Sequence, residues 1–186
     1  MFKFIDNFYD WWKNIDKIIL FLIIILFSLG LFFSLVSTSL IASDKLDTNS
    51  YFFFLKHLIF ITFGTLTLFI FSILKEQFLL QLSLILFCFI FITLLMVPLI
   101  GIEVKGSKRW LDLGFLPRFQ PIELLKPYFI IIISSLLCIN KNIYYKYLLS
   151  GLVLLPVVLL LLSQPDLGQT LLITMVWLTL IFISGI

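Results

Sequence analysis

The sequence predicts an all-α membrane protein, a polytopic bundle of transmembrane helices. Three observations carry that expectation: 62% of the residues are hydrophobic, only 12% are charged, and the mean hydropathy is +1.20. Soluble domains carry about 25% charged residues, so a chain this apolar excludes an ordinary water-soluble domain. The apolar residues gather into runs suited to a hydrocarbon core of about 30 Å, which takes about 20 helical residues at about 1.5 Å each. Strands fit poorly. Transmembrane strands alternate polar and apolar residues over about 10 positions, whereas "IILFLIIIL" and "LVLLPVVLLLL" are apolar on every side, as lipid-embedded helices are.

Six spans are predicted: Ile18 to Ala42, Leu58 to Leu74, Phe78 to Ile102, Pro121 to Ile139, Tyr147 to Ser163 and Leu167 to Ile186. Residues 1–17 form an amino-terminal segment ahead of a membrane domain at 18–186. That segment, "MFKFIDNFYDWWKNIDK", mixes acids with bases, and the run after it exceeds the roughly 7 to 15 apolar residues of a secretory signal, so it is expected to be retained. Tyr9, Trp11 and Trp12 carry the amphipathic rings favoured at headgroup level, which suits a segment lying along the interface. Cys88 and Cys138 fall inside predicted spans with no metal-ligand spacing around them, so neither a metal site nor a disulfide is expected. His57 is the sole histidine and stands at a span boundary without a nearby carboxylate, which reads as interfacial packing. No internal repeat is present.

Orientation follows from the bases, since Lys and Arg are enriched in cytoplasmic loops. With the amino terminus inside, the inner segments hold Lys3, Lys13, Lys17, Lys75, Lys141 and Lys146, and the outer ones hold Lys45, Lys56, Lys105, Lys108, Arg109, Arg118 and Lys126. Setting aside Lys105 through Lys126 leaves a clear excess inside, so a cytoplasmic amino terminus is expected. The basic stretch then lies outside, against the usual bias, and an anionic partner is the natural explanation.

That outer loop, residues 103–120, is both basic and apolar. Gly106 and Gly114 bracket "SKRWLDL" and allow backbone turns, while Lys108, Arg109 and Arg118 supply donors for phosphate or carboxylate oxygens. Trp110, Leu111, Leu113, Phe115, Leu116 and Phe119 are too apolar for a solvated loop, so the segment is expected to dip into the interface. Lipid headgroups would satisfy the same cations. The fourth span then opens "QPIELLKP", with Pro121 at a first helical position and Glu123 and Lys126 one turn apart on one face. Ionisable groups at such depth pair with each other or face a wet cavity. Pro127 removes one helical hydrogen bond close to them and favours a kink. In "SQPDLGQT", Asp166 is placed to cap the helix that follows, with Gly168 easing the turn. Chain parity puts Asp166 on the same side as the basic loop, so it is a candidate wall of a shared site with Lys108, Arg109, Glu123 and Lys126.

The ordered set "GIEVKGSKRWLDLG", "QPIELLKP" and "QPDLGQTLLITMVWLTLIFISG" resembles the shape, elongation, division and sporulation (SEDS) family of bacterial membrane proteins. "EVKGSKRW", "QPDLGQT" and "WWKNID" look more like the cell-division member than its elongation relative. The resemblance covers nearly the whole chain from Trp11 onward. It implies a multi-pass inner-membrane glycosyltransferase, placed at the division septum, that polymerises lipid II, the disaccharide-pentapeptide carried on undecaprenyl diphosphate. Implied partners are a class B penicillin-binding protein, other divisome membrane proteins and membrane lipids, with no nucleic acid. On this resemblance Lys108 and Arg109 are candidates for diphosphate contact, and Lys126 is a deeper candidate held by Glu123. Ile122 departs from the family's Gln-Pro-Ser-Glu pattern and removes a hydroxyl. The family's catalytic Asp belongs to a later outer loop, so no catalytic residue is assigned here and the chain is expected to be an amino-terminal half, inactive alone. Lipid II transport and a non-enzymatic divisome scaffold are the alternative readings.

Overall fold

The computed structural model describes residues 8–46, 52–104, 106–112, 114 and 118–185. Lys3, Lys105, Leu113, Phe115 and Leu116 lie outside the described residues, as do the side chains of Tyr9 and Lys45. In chain order the elements are α1 (Phe8–Asn14), α2 (Lys17–Leu46), α3 (Phe52–Ile73), α4 (Glu76–Ile100), β1 (Ile102–Val104), β2 (Ser107–Trp110), α5 (Pro121–Cys138), α6 (Ile143–Ser163) and α7 (Leu167–Ile183). Helices α2 to α6 contain five stretches long and apolar enough to cross a membrane; α7 is equally apolar but has 17 residues. Helix bounds differ from hydropathy bounds for physical reasons. Helices α3 and α6 begin at Phe52 and Ile143, because backbone bonding runs on through Lys56, Tyr144 and Lys146 where side chains are already polar. Helix α7 stops at Ile183 rather than Ile186, where Ser184 caps it and Gly185 turns at φ +115°.

The chain divides into two compact units, Met1–Lys75 and Glu76–Ile186. In the first, Asp16 accepts the N–H groups of Ile18 and Ile19 at 2.9 and 3.2 Å and so caps α2. Helices α2 and α3 pack together, and His57 explains Gly30: a Cβ there would sit 3.3 Å from the imidazole Nε2. Trp11 departs from the expected interfacial ring. It is 8% exposed, donates its indole N–H to Ser72 Oγ at 2.9 Å and meets Phe69 edge-on with centroids 4.9 Å apart. A donor satisfied inside the protein has no need of the headgroups, and Trp12 keeps the exposed position beside Lys17.

In the second unit α5 is the centre. Its Ile122, Leu125, Phe129, Ile133 and Leu137 recur at helical spacing and are buried against Ile90 and Leu94 of α4, Leu154, Val157 and Leu161 of α6, and Ile173 and Ile181 of α7. Polar links cross this core. Trp177 donates to Ser150 Oγ at 3.1 Å, joining α7 to α6. Pro98 lies inside α4 and offers no N–H, so the carbonyl of Leu94 loses its helical partner. Gln164, the 2%-exposed residue that ends α6, donates its side-chain amide to that carbonyl at 3.3 Å. A gap made by proline in one helix is thus closed by a side chain from another.

The loop after α4 contains regular structure. Its β1 and β2 form an antiparallel hairpin with Glu103 opposite Lys108 and Val104 opposite Ser107. Gly106, at φ +81°, makes the two-residue connection that other residues resist. Leu111 and Phe119 exchange backbone hydrogen bonds at 2.9 and 3.2 Å, which closes the loop and buries Leu111. Gly101 allows the chain to leave α4, since a Cβ there would collide with the Val97 carbonyl oxygen. The register slips by one residue between Ile102 and Glu103, so Ile102 faces Trp110 and Arg109 is left as the bulged residue.

The proline gap yields a prediction. Gln164→Leu should lower stability by about 1–3 kcal/mol, the cost of an unsatisfied buried carbonyl. In a Pro98→Ala background, where the Ala N–H serves Leu94, the same change should cost clearly less. Thermal unfolding of the detergent-solubilised variants measures both, and strictly additive losses would contradict the link.

Candidate functional site

The predicted site residues collect at the end of the second unit where α4 and α6 finish and α5 and α7 begin. Two local features fix the helix starts. Pro121 begins α5, its missing N–H costing nothing in the first turn. Asp166 is the N-cap of α7, its Oδ1 accepting the Gln169 N–H at 3.4 Å, while its own carbonyl accepts from the Thr170 N–H and hydroxyl at 3.0 and 2.8 Å. Gly168 does not ease this turn: it is the second residue of α7 and its φ is not positive.

Asp166 is 3% exposed, and a buried carboxylate needs more than a cap. Gln120, in the N-cap position of α5, donates to its Oδ2 at 3.0 Å rather than capping its own helix. Arg109 brings Nη1 to 3.5 Å from Oδ1 and donates from Nη2 to the Pro165 carbonyl at 2.8 Å. Strand alternation turns Arg109 to the half-buried face of β2, opposite to the exposed Lys108.

Beside this group stands the pair expected one turn apart. Lys126 Nζ lies 2.6 Å from Glu123 Oε2, with Lys126 18% exposed at its side chain and Glu123 half exposed. Gln169 locks both: its Nε2 donates to Glu123 Oε1 at 2.6 Å and its Oε1 accepts from Lys126 at 3.1 Å. Since Gln169 also donates its backbone N–H to Asp166, the two groups form one network, Arg109–Asp166–Gln169–Glu123–Lys126, with Gln120 attached. Pro127 adds to this, because its lack of an N–H leaves the Glu123 carbonyl without its helical donor.

Two acids and two bases make the network neutral, yet its donors are not used up. An ammonium has three N–H groups, and two of those on Lys126 are engaged. Among the described residues the Nε of Arg109 is buried without a partner. The arrangement holds both cations by named bonds and leaves one N–H of Lys126 unassigned.

Lys108 is not part of it. It lies exposed on the neighbouring position of β2 and lines a cleft with Glu103 instead. Arg118 is engaged elsewhere, at 3.0 Å from Asp112. The Gly114 N–H, donating to Asp112 at 2.9 Å, and secondarily Arg118 hold the Asp112 carboxyl below its ordinary value. Cys88 and Cys138 are free and exposed. Sequence reasoning missed Gln120 and Gln169. Asp166 and Gln169 have the spacing of a capping box, which is a legible signal; the bond from Gln169 to the α5 pair is tertiary and has none.

Comparison with known proteins bears on this geometry. The FtsW/RodA/SpoVE family model, described as Cell cycle protein, matches residues 16–186. A protein named probable peptidoglycan glycosyltransferase FtsW from Haemophilus influenzae is 29% identical over 98% of this chain and 50% of its own length. One of the same name from Coxiella burnetii is 32% identical over 87% of this chain and 44% of its own. The chain spans about half the length of the curated relatives it matches. Among solved structures, the rod shape determining protein RodA of Thermus thermophilus superposes with a TM-score of 0.74 at 27% identity, over 94% of this chain and 55% of that one. A chain from the structure described as "Structural coordination of polymerization and crosslinking by a peptidoglycan synthase complex" gives 0.70 at 27% identity, over 88% and 47%. A match across nearly all of the sequence, together with the shared helical fold, establishes that this chain belongs to the FtsW/RodA/SpoVE family.

Proposed function

We propose that this protein is a peptidoglycan glycosyltransferase of the cell-division type, polymerising lipid II at the outer face of the bacterial inner membrane, and that the network around Asp166 grips the substrate diphosphate. The observation that carries this reading is Lys126, held by Glu123 and Gln169 with one N–H to spare, in one network with Arg109. The names borne by the relatives support the chemistry. In the reaction an acceptor sugar hydroxyl attacks the anomeric carbon of the donor, the bond from that carbon to the diphosphate oxygen breaks, and the hydroxyl proton passes to a carboxylate base. The base is proposed to lie outside residues 1–186. What these residues supply is the stabilisation of charge growing on the leaving diphosphate, through Lys126 and Arg109. Fixed cations suit that role because they need no reorganisation as the charge develops. A cross-linking partner, a class B penicillin-binding protein, fits the synthase complex to which the fold is similar.

The orientation is part of the proposal: amino terminus in the cytoplasm, hairpin end outside. An alkaline-phosphatase fusion after Gly114 should be active and one after Lys141 inactive. The reverse pattern would remove the outer-face site altogether.

The ion pair provides the functional test. Glu123→Lys combined with Lys126→Glu keeps the attraction, and Gln169 adapts by turning its amide, which carries both donor and acceptor. If the pair were only a brace, function would survive the exchange. The proposal expects instead that the exchanged full-length protein reaches the membrane at normal levels but polymerises lipid II roughly a hundredfold more slowly, the scale of losing one transition-state donor. Polymerisation near the wild-type rate would assign Lys126 to the scaffold.

A further inference from the structure

At the hairpin end most charged side chains are already matched: Arg109 with Asp166, Arg118 with Asp112, Lys126 with Glu123. Glu103 and Lys108 are the exception. They face each other across the β1–β2 register, yet among the described residues neither takes a side-chain hydrogen bond or an ion pair. Both line a cleft of about 250 Å³, together with Ser107, Ser163, Gln164 and Pro165. The C-terminal turns of α4 and α6 converge on it through Pro98 and Ser163, adding partial negative charge near Glu103. An acid and a base that stand opposite without closing on each other, at one cleft, are arranged to be closed by a third group.

We propose that this cleft binds a peptide, taking a protonated amine against Glu103 and the helix ends and a carboxylate against Lys108. The inference deepens the proposed function and rests on it in one respect: the peptide meant is the one carried by the polyprenyl-diphosphate disaccharide. The cleft adjoins the network, since Pro165 both lines it and accepts the Arg109 hydrogen bond. A single amphiphile with its diphosphate at the network therefore has its peptide within reach of the hairpin. Lys108, on this assignment, reads the substrate rather than its leaving group.

The test uses the full-length protein in phosphatidylglycerol nanodiscs, with the polyprenyl-diphosphate disaccharide as probe, with and without its peptide. The wild type should bind the peptide-bearing form roughly fivefold more tightly, the scale of partly exposed charge pairs. Glu103→Gln with Lys108→Gln should bind both forms as the wild type binds the peptide-free one. Equal discrimination by wild type and variant would overturn the assignment. So would loss of discrimination on adding phosphatidylethanolamine, whose headgroup carries an ammonium and an anionic phosphate, because the cleft would then be a lipid site. If neither amphiphile binds the wild type, the proposed function fails, and a soluble tripeptide with free termini decides the cleft: saturable binding abolished in the double variant supports it, and no binding refutes it.

Discussion

A carboxylate 3% exposed cannot stay charged without donors, and meeting that requirement at Asp166 organises the hairpin end of the protein. The donors come from three separate elements: the first turn of α7, Gln120 ahead of α5, and Arg109 in the bulge of β2. Chain connection sets the hairpin between the end of α4 and the start of α5, and Arg109 ties it through Asp166 and Pro165 to the start of α7. Gln169 then passes the constraint on to Glu123 and Lys126, so the cations at this end are held by the same bonds that hold the fold.

The same logic governs the helix interiors. In a chain that crosses a membrane, backbone groups freed by proline must find partners inside the protein. Pro98 frees the carbonyl of Leu94, and Gln164 supplies the donor. Pro127 frees the carbonyl of Glu123, itself a member of the ion pair. Gln164 and Asp166 belong to one short turn between α6 and α7, so a single connection both repairs α4 and anchors the hairpin.

What the sequence made legible follows from range. Hydropathy is a property of each residue, so the apolar helices could be read directly, five of them long enough to cross a membrane. Glu123 and Lys126 are three residues apart, and helical geometry alone puts them together. Gly106 and Gly114 announced turns through the φ they permit, and both are positive in the structure. Gly168 misled because the same residue type is also tolerated in a helix. Long-range partners left no local trace: Gln120 and Asp166 are 46 residues apart, as are Gln169 and Glu123. Lys108 and Arg109 part company because successive side chains on a strand face opposite ways, which became legible only once residues 107–110 were known to be a strand. Trp11 was misread for a related reason. An indole suits both a headgroup layer and a protein pocket, and only Ser72 and Phe69 decide between them.

Hydrogen exchange on the full-length protein with Asp166→Ala tests most directly whether one carboxylate holds this end together. If Asp166 is the shared anchor, the amides of Gln169 in α7, of Leu111 and Phe119 in the hairpin loop, and of Glu123 at the start of α5 should all exchange roughly tenfold faster or more, as expected for losing a hydrogen-bonded charge. The core amides of α5 and α6 should keep their rates. Acceleration confined to Gln169 and Thr170 would reduce Asp166 to a helix cap and contradict its role as the hub.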